Sequence, residues 1–334
     1  MNKRLLEILK AIKGKRILVW GDLVCDEYIY GDVSRISREA PVLILKKSGS
    51  EYRPGGAANA ANNLISLGAK VKVMGIVGKD ENGRKLLSLF KNRRIDTTGI
   101  LISEAFPTIT KTRIMAGGIN RPKQQVIRID DEGGEVKSEV KKIQDIFWKY
   151  FLSIKNSLDG ILISDYSYGA VSFGIYNEIV KTLSTKNIPI VVDSRFDLVK
   201  FKNATVLTPN DEEAGAVLGI ESDKTEKNIN NIARGIIKKL NPKILIITRG
   251  KKGMDVFIEN KKPHHIPIYG SDEVVDVTGA GDTVSSIVTL ALSSGANGYE
   301  AAQLANYAGG IVVMKMGAAT VSIKELKEVL QREE

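Results

Sequence analysis

The run DVTGAGDTV, from Asp276 to Val284, sets two glycines, an alanine and two carboxylates at the mouth of a helical pattern, SSIVTLALSSGA. Small residues at Gly279, Ala280 and Gly281 permit unusual backbone angles and close approach, so their N–H groups can converge on one anion. The positive end of the following helix adds to that attraction. Asp282 is the discordant member, because a carboxylate repels a phosphate that is merely bound. Two readings resolve this. As a general base, Asp282 takes a hydroxyl proton while the N–H groups stabilise a transferring phosphoryl group. As a helix N-cap, it only satisfies the first turn.

Other stretches offer compatible chemistry. In RPGGAANAANN, Gly55 and Gly56 let backbone amides reach a polar ligand, and Asn59 can donate to and accept from a hydroxyl; the same small residues also suit tight helix–sheet packing. In GDLVCDEYIYG, Asp22 and Asp26 follow the first strand, where carboxylates can accept from two sugar hydroxyls. TPNDEE and TRGKKG each follow a strand pattern. Asn210 and Glu213 suit a hydrated metal ion, while Thr248, Gly250 and Gly253 let a loop approach nucleotide phosphates. There is no Walker A motif and no readable Ser/His/Asp order. His264 and His265 fall in one hairpin pattern as surface residues, and Cys25 reads as a small buried side chain.

These residues need a scaffold. Apolar runs at 16–20, 71–77, 160–164, 188–193, 204–208 and 243–248 read as strands buried on both faces. Helical patterns lie between them, at 57–68, 82–94, 172–186, 210–219 and 225–240, with an amphipathic helix at the start. The alternation predicts a parallel sheet covered by helices on both faces. Residues 28–47 and 108–129 break the rhythm as β-rich strand pairs, either a flap over a ligand or an ordinary edge extension. No linker composition divides the 334 residues, so one domain spanning 1–334 is expected.

Composition narrows the function classes. A hydrophobic content of 43% suits a folded core, no apolar run reaches membrane-span length, and no signal-peptide core is present. The single cysteine excludes an internal disulfide, and a cytoplasmic location is expected. The net charge of +10 points to anionic partners, but the lysines are scattered without an arginine–aromatic stripe. A solvated basic surface is expected, with neither nucleic acid nor membrane as partner.

Taken together, the motifs resemble the ribokinase-like (PfkB) family of carbohydrate kinases. GGAANAANNLISLG followed by Gly78 is similar to its first signature and DVTGAGDTV to its second, and the order of the intervening motifs agrees across nearly the whole chain. The resemblance implies an α/β fold with a mainly parallel central sheet flanked by helices and a small β-sheet lid. It implies Asp282 as catalytic base, with Gly279, Ala280 and Gly281 as anion hole. Asp26, Gly55, Gly56 and Asn59 would hold the sugar, and Asn210 and Glu213 would serve the Mg²⁺–phosphate region. Thr248, Gly250 and Gly253 would lie near ATP, and Asp276 and Thr278, with Gly317, in segments that can hold K⁺.

GDLVCDEYIYGDVSRISREAPVLILKK, RPGGAANAANNLISLGA and QQVIRIDDE further resemble the heptose-7-phosphate kinases, which make heptose 1,7-bisphosphate for ADP-heptose. That resemblance makes Arg35, Lys111, Arg113 and Arg128 candidates for the sugar's phosphate, alternatively solvated lid charges. It also implies a homodimer and a separate nucleotidyltransferase. The chain departs from the pattern where Tyr168 replaces a lysine and Ser194–Arg195 replaces Pro–Lys, and AGGINRPK lengthens the second lid segment, adding Arg121 and Lys123. Fructokinase- or ribokinase-like activity and a non-catalytic nucleotide or sugar sensor are the alternatives.

Overall fold

The computed structural model describes residues 2–118, 123–133, 140–270 and 274–332, so Arg121 lies outside the described residues. In chain order, α1 (Asn2–Ala11) leads into β1 (Arg16–Gly21), β2 (Leu23–Ile36), β3 (Leu43–Gly56) and α2 (Ala57–Ser66). Then come β4 (Lys70–Gly78), α3 (Glu81–Asn92), β5 (Asp96–Ser103), β6 (Ile109–Gly117), β7 (Gln124–Asp131) and α4 (Val140–Ile154). The next are β8 (Gly160–Asp165), α5 (Phe173–Leu183), β9 (Ile190–Ser194), β10 (Val206–Leu207), α6 (Asp211–Ala216) and α7 (Glu226–Leu240). The chain continues through β11 (Ile244–Thr248), β12 (Met254–Ile258), β13 (His264–Ile266), α8 (Ala280–Ser293), α9 (Gly298–Val312) and α10 (Ile323–Arg332).

Among the described residues, nine strands form the main sheet, ordered β13-β12-β11-β10-β9-β8-β1-β4-β5. It is parallel from β5 to β11, and β12 and β13 add an antiparallel edge that carries both histidines. Side chains alternate across a strand, which explains the two apolar layers. Ile17, Val19 and Leu162 face the layer of α1, α2, α8, α9 and α10, while Leu18, Trp20, Ile161 and Ile163 face that of α4, α5 and α7. Burying an aromatic such as Phe147 or Phe151 stabilises the fold by about 1.5–3 kcal/mol.

The interior of α8 is buried through the run Asp282 to Ala291. Ala57, Ala58, Ala60 and Ala61 of α2 are fully buried, and their small side chains let α2 approach α8 closely. The α8 hydroxyls stay satisfied in that core: Ser286 donates to the Ala60 carbonyl at 3.2 Å and Thr289 to the Ser285 carbonyl at 2.7 Å.

The two β-rich interruptions form a separate four-stranded sheet, ordered β3-β2-β6-β7, in which β2 and β6 are parallel and both outer pairs antiparallel. Its register lines up Arg53, Asp26, Lys111 and Asp130 in one row across the strands. Asp80 ties this sheet to the body, capping α3 through the Gly83 N–H while also accepting from the Thr108 N–H, each at 2.7 Å. β5 and α4 are among the elements that the sequence patterns did not mark. β5 contains Gly99 packed beneath Tyr150 of α4, and its sequence lacks the continuous apolar run that marks the inner strands.

Candidate active site

The carboxyl ends of β8, β9, β10 and β11 meet the start of α8 and one face of the small sheet around a cavity of about 750 Å³. This is where an open α/β sheet leaves its loops free to hold ligands.

Gly279, with a left-handed φ of 76°, occupies the N-cap position of α8, and no side chain caps that turn. Asp282 is therefore the third helical residue, and the N-cap reading fails. Its carboxylate instead accepts from Asn59 Nδ2 at 2.8 Å on Oδ2 and from the Tyr166 hydroxyl at 3.2 Å on Oδ1. Burial pushes the Asp282 carboxyl up to about 7; the two hydrogen bonds pull it down, the charge of Asp26 adds to the rise and Lys111 opposes it. A group so tuned can take and release a proton near neutrality.

The turn expected to form an anion hole differs in detail from that expectation. The Ala280 N–H donates to the Val277 carbonyl at 3.2 Å, whereas those of Gly281 and Asp282 take no acceptor among the described residues. Ala280 lines the wall without offering a donor. Glycine is required at 279, where a Cβ would stand 2.5 Å from Asn59 Nδ2, while a Cβ at Gly281 would meet only Asp193 at 3.7 Å.

Asp26, buried in β2, receives Arg113 Nη1 on Oδ1 at 2.5 Å. Gly55 makes room for it, since a Cβ there would lie 2.5 Å from Asp26 Oδ2, and Gly56 adopts a φ of 54° beside the Asp22 carbonyl. Asp22 itself is closed to sugar, because its carboxylate accepts three backbone N–H groups, from Tyr166, Tyr168 and Ala170, at 2.7, 3.2 and 3.0 Å.

Lys111, Arg113, Arg128 and Arg195 line the cavity. Arg113 is paired with Asp26, and Arg128 grips Asp130 through two bonds of 2.8 and 2.9 Å. Lys111 and Arg195 have no carboxylate within salt-bridge distance among the described residues. Lys111 lies over the Tyr166 and Tyr168 rings, 5.5 and 5.8 Å from their centres, and burial lowers its ammonium below the usual lysine range. Arg35 is not brought to the site. It is exposed near the far end of β2, nine residues beyond Asp26, or about 30 Å along an extended strand.

At the other end, Thr248, Gly250 and Gly253 border the cavity with the apolar Ile268, Val277 and Val313. Gly250 has open space around its missing Cβ, whereas Gly253 is packed against the Ile266 carbonyl, which a Cβ would approach to 2.1 Å. Asn210 and Glu213 cap α6 reciprocally: the Glu213 N–H donates to Asn210 Oδ1 at 2.8 Å and the Asn210 N–H to Glu213 Oε2 at 2.9 Å. Burial raises the Glu213 carboxyl, and burial with repulsion from Glu213 and Asp282 raises that of Asp193. Asp276 lies outside the cavity lining and accepts from the Thr278 and Gly317 N–H groups at 2.9 and 2.8 Å. Burial opposes its ionisation, but these bonds outweigh it and hold its carboxyl below the usual range.

Sequence motifs did not reveal every member. Asp165 and Tyr166 end the β8 pattern as Asp22 ends β1, a positional signal equally available at both strands. The buried Arg249–Asp255 pair, 2.8 Å apart, fixes the turn at Gly250 and depends on β11–β12 pairing, which motif spacing does not encode. Cys25 is buried, and burial foremost pushes its thiol up to about 12, which leaves it unreactive.

The model of the pfkB family carbohydrate kinases matches residues 15–325. The "Bifunctional protein HldE" of Geobacter sulfurreducens is 38% identical over 330 residues, 98% of this chain and 65% of that protein. The protein of the same name from Coxiella burnetii is 38% identical over 320 residues, covering 95% and 64%. The chain thus spans just under two thirds of these relatives. Arabidopsis thaliana ribokinase, solved with ribose and ATP, superposes with a TM-score of 0.69 at 18% identity, covering 96% of this chain and 99% of that one. Escherichia coli phosphofructokinase-2, solved with substrates and products, gives 0.75 at 16%, with the same coverage. These two likenesses establish the shared ribokinase-like fold.

Proposed function

The chain belongs to the PfkB family of carbohydrate kinases, and from that membership we propose that it transfers the γ-phosphoryl group of ATP to a heptose 7-phosphate, giving heptose 1,7-bisphosphate. The observation that carries the reading is Asp282, a buried carboxyl raised to about 7 beside helix N–H groups that take no acceptor among the described residues. Asp282 takes the proton of the anomeric hydroxyl as its oxygen bonds to phosphorus, the bond to the bridging oxygen breaks, and ADP leaves. The Gly281 and Asp282 N–H groups and the helix dipole oppose the charge that develops.

Asn210 and Glu213 would hold Mg²⁺ through water, a role their oxygen donors and the carboxylate-rich wall suit. Bound there, the ion neutralises phosphate charge. Asp276, held ionised, and Thr278 would hold K⁺. For the acceptor, Asp26 and Asn59 receive sugar hydroxyls, and Lys111 and Arg195, which have no carboxylate partner among the described residues, take the 7-phosphate with support from Arg113 and Arg128. One observation favours a second acceptor: the Tyr168 hydroxyl donates to Glu132 Oε1 at 3.3 Å and supplies no positive charge where related heptose kinases have lysine.

ADP release measured across heptose 7-phosphate, fructose 6-phosphate, fructose and ribose tests the reading. Highest kcat/KM on heptose 7-phosphate supports it. Preference for a free sugar overturns the heptose assignment and leaves the kinase class, whereas ATP binding without acceptor-dependent ADP release supports a sensor.

A further inference from the structure

We propose that Tyr166 is a positioning residue that aims the Asp282 carboxylate, with Asp22 holding Tyr166 in place; the inference rests on the reading of Asp282 as base. Asp282 is held from two sides, Asn59 of α2 bonding Oδ2 and Tyr166 bonding Oδ1, at 2.8 and 3.2 Å. Two fixed donors on different oxygens restrict rotation of the carboxylate, and each oxygen keeps a lone pair for a substrate hydroxyl. Burial, then repulsion from Asp282, keeps the Tyr166 phenol well above its ordinary range, so it remains a donor.

The loop that presents Tyr166 is clamped. Asp22 accepts the N–H groups of Tyr166, Tyr168 and Ala170. The Trp20 indole N–H donates to the Ala170 carbonyl at 2.9 Å, and the Ser167 N–H donates to Asp165 Oδ1 at 3.2 Å. Ser167 adopts a left-handed φ of 62°, a conformation unfavourable for a residue with a Cβ. A buried carboxylate spent on three amides, and a strained residue beside them, are costs that a loop serving only as a connection does not require. The loop instead delivers one hydroxyl to one oxygen of the base.

The charged and titratable groups facing Asp282 are Asp26 from β2, Lys111 from β6, Tyr166 from the loop after β8, and Asp193 from β9. Tyr166→Phe preserves the ring beneath Lys111 and deletes only the donor, which favours the ionised carboxylate. In the full chain, with ATP and the acceptor selected by the ADP-release panel, this variant should lower kcat about tenfold and leave KM for ATP within about twofold. The acid limb of its kcat–pH profile should move upward by about half a unit, a shift that a space-filling role would not produce. In the Asp282→Asn background, adding Tyr166→Phe should change the residual rate by less than about twofold, because the two act as one unit. Parental kcat and an unmoved limb in Tyr166→Phe, with Asp282→Asn inactive, would overturn this inference and leave the base standing. Parental activity in Asp282→Asn would remove both.

Discussion

Asn59 Nδ2 lies 2.8 Å from Asp282 Oδ2, a bond between residues 223 positions apart that joins the first turns of α2 and α8. It makes the carboxylate a fixed element of the cavity wall rather than a cap on its own helix. Asp282→Asn keeps the size and removes the proton acceptor, so turnover should fall about 10²–10⁴-fold. Calorimetric titration should give an ATP affinity close to the parent's. Near-parental turnover in the folded variant would remove Asp282 from the mechanism.

The value of about 7 sets a pH dependence with a definite sign. As the proposed base, Asp282 would act only when deprotonated, so kcat should fall as pH drops below about 7. Stability should run the other way. The folded-state value lies above the unfolded one, so the contribution is fully present below about pH 4 and is lost as pH rises through 7. Asp282→Asn should therefore raise Tm at pH 8 by about 2 °C or more and by much less at pH 4, as scanning calorimetry would show. An equal change at both pH values would contradict the burial argument.

Much of the scaffold was legible because strands buried on both faces write continuous apolar runs, as in RILVW and GILIS. The glycine-rich turns were legible for a similar reason, since Gly55 and Gly279 leave space that any Cβ would fill. What the residue types left open was direction. Asp22 and Asp26 lie four residues apart just after β1, yet one carboxylate turns to a neighbouring loop and the other to the cavity. Arg35 and Arg113 both read as basic residues of the small sheet, and only the length of β2 separates the first from the site. Such assignments depend on contacts between distant segments, which spacing along the chain does not record.

The crowding at Gly279 predicts a contrast within one turn. Gly279→Ala forces a Cβ onto a left-handed backbone and toward Asn59, and should cost about 1–2 kcal/mol in stability along with most of the activity. Gly281→Ala has ordinary clearance, so it should melt close to the parent and show its defect as a raised KM for ATP. Thermal melts with ATP kinetics check both, and matching Tm values for the two variants would contradict the geometry.

The cations divide by their partners. Lys111→Met and Arg195→Ala should each lose about 10- to 100-fold in kcat/KM on a phosphorylated acceptor, corresponding to about 1.5–3 kcal/mol for a charge-assisted bond. Their effect on free sugars should be small. Arg35→Ala, exposed and remote, should match the parent on every acceptor. Steady-state kinetics on paired phosphorylated and free sugars decide this, and a selective loss in Arg35→Ala would contradict the placement.

The most direct measurement is ³¹P NMR of the product formed from ATP and heptose 7-phosphate. One new phosphate ester at the anomeric carbon, the 7-phosphate retained, and one ADP per ester are expected, all abolished in Asp282→Asn. Heptose 7-phosphate left unchanged under conditions in which fructose or ribose is phosphorylated would contradict the assignment of this cavity to a sugar phosphate.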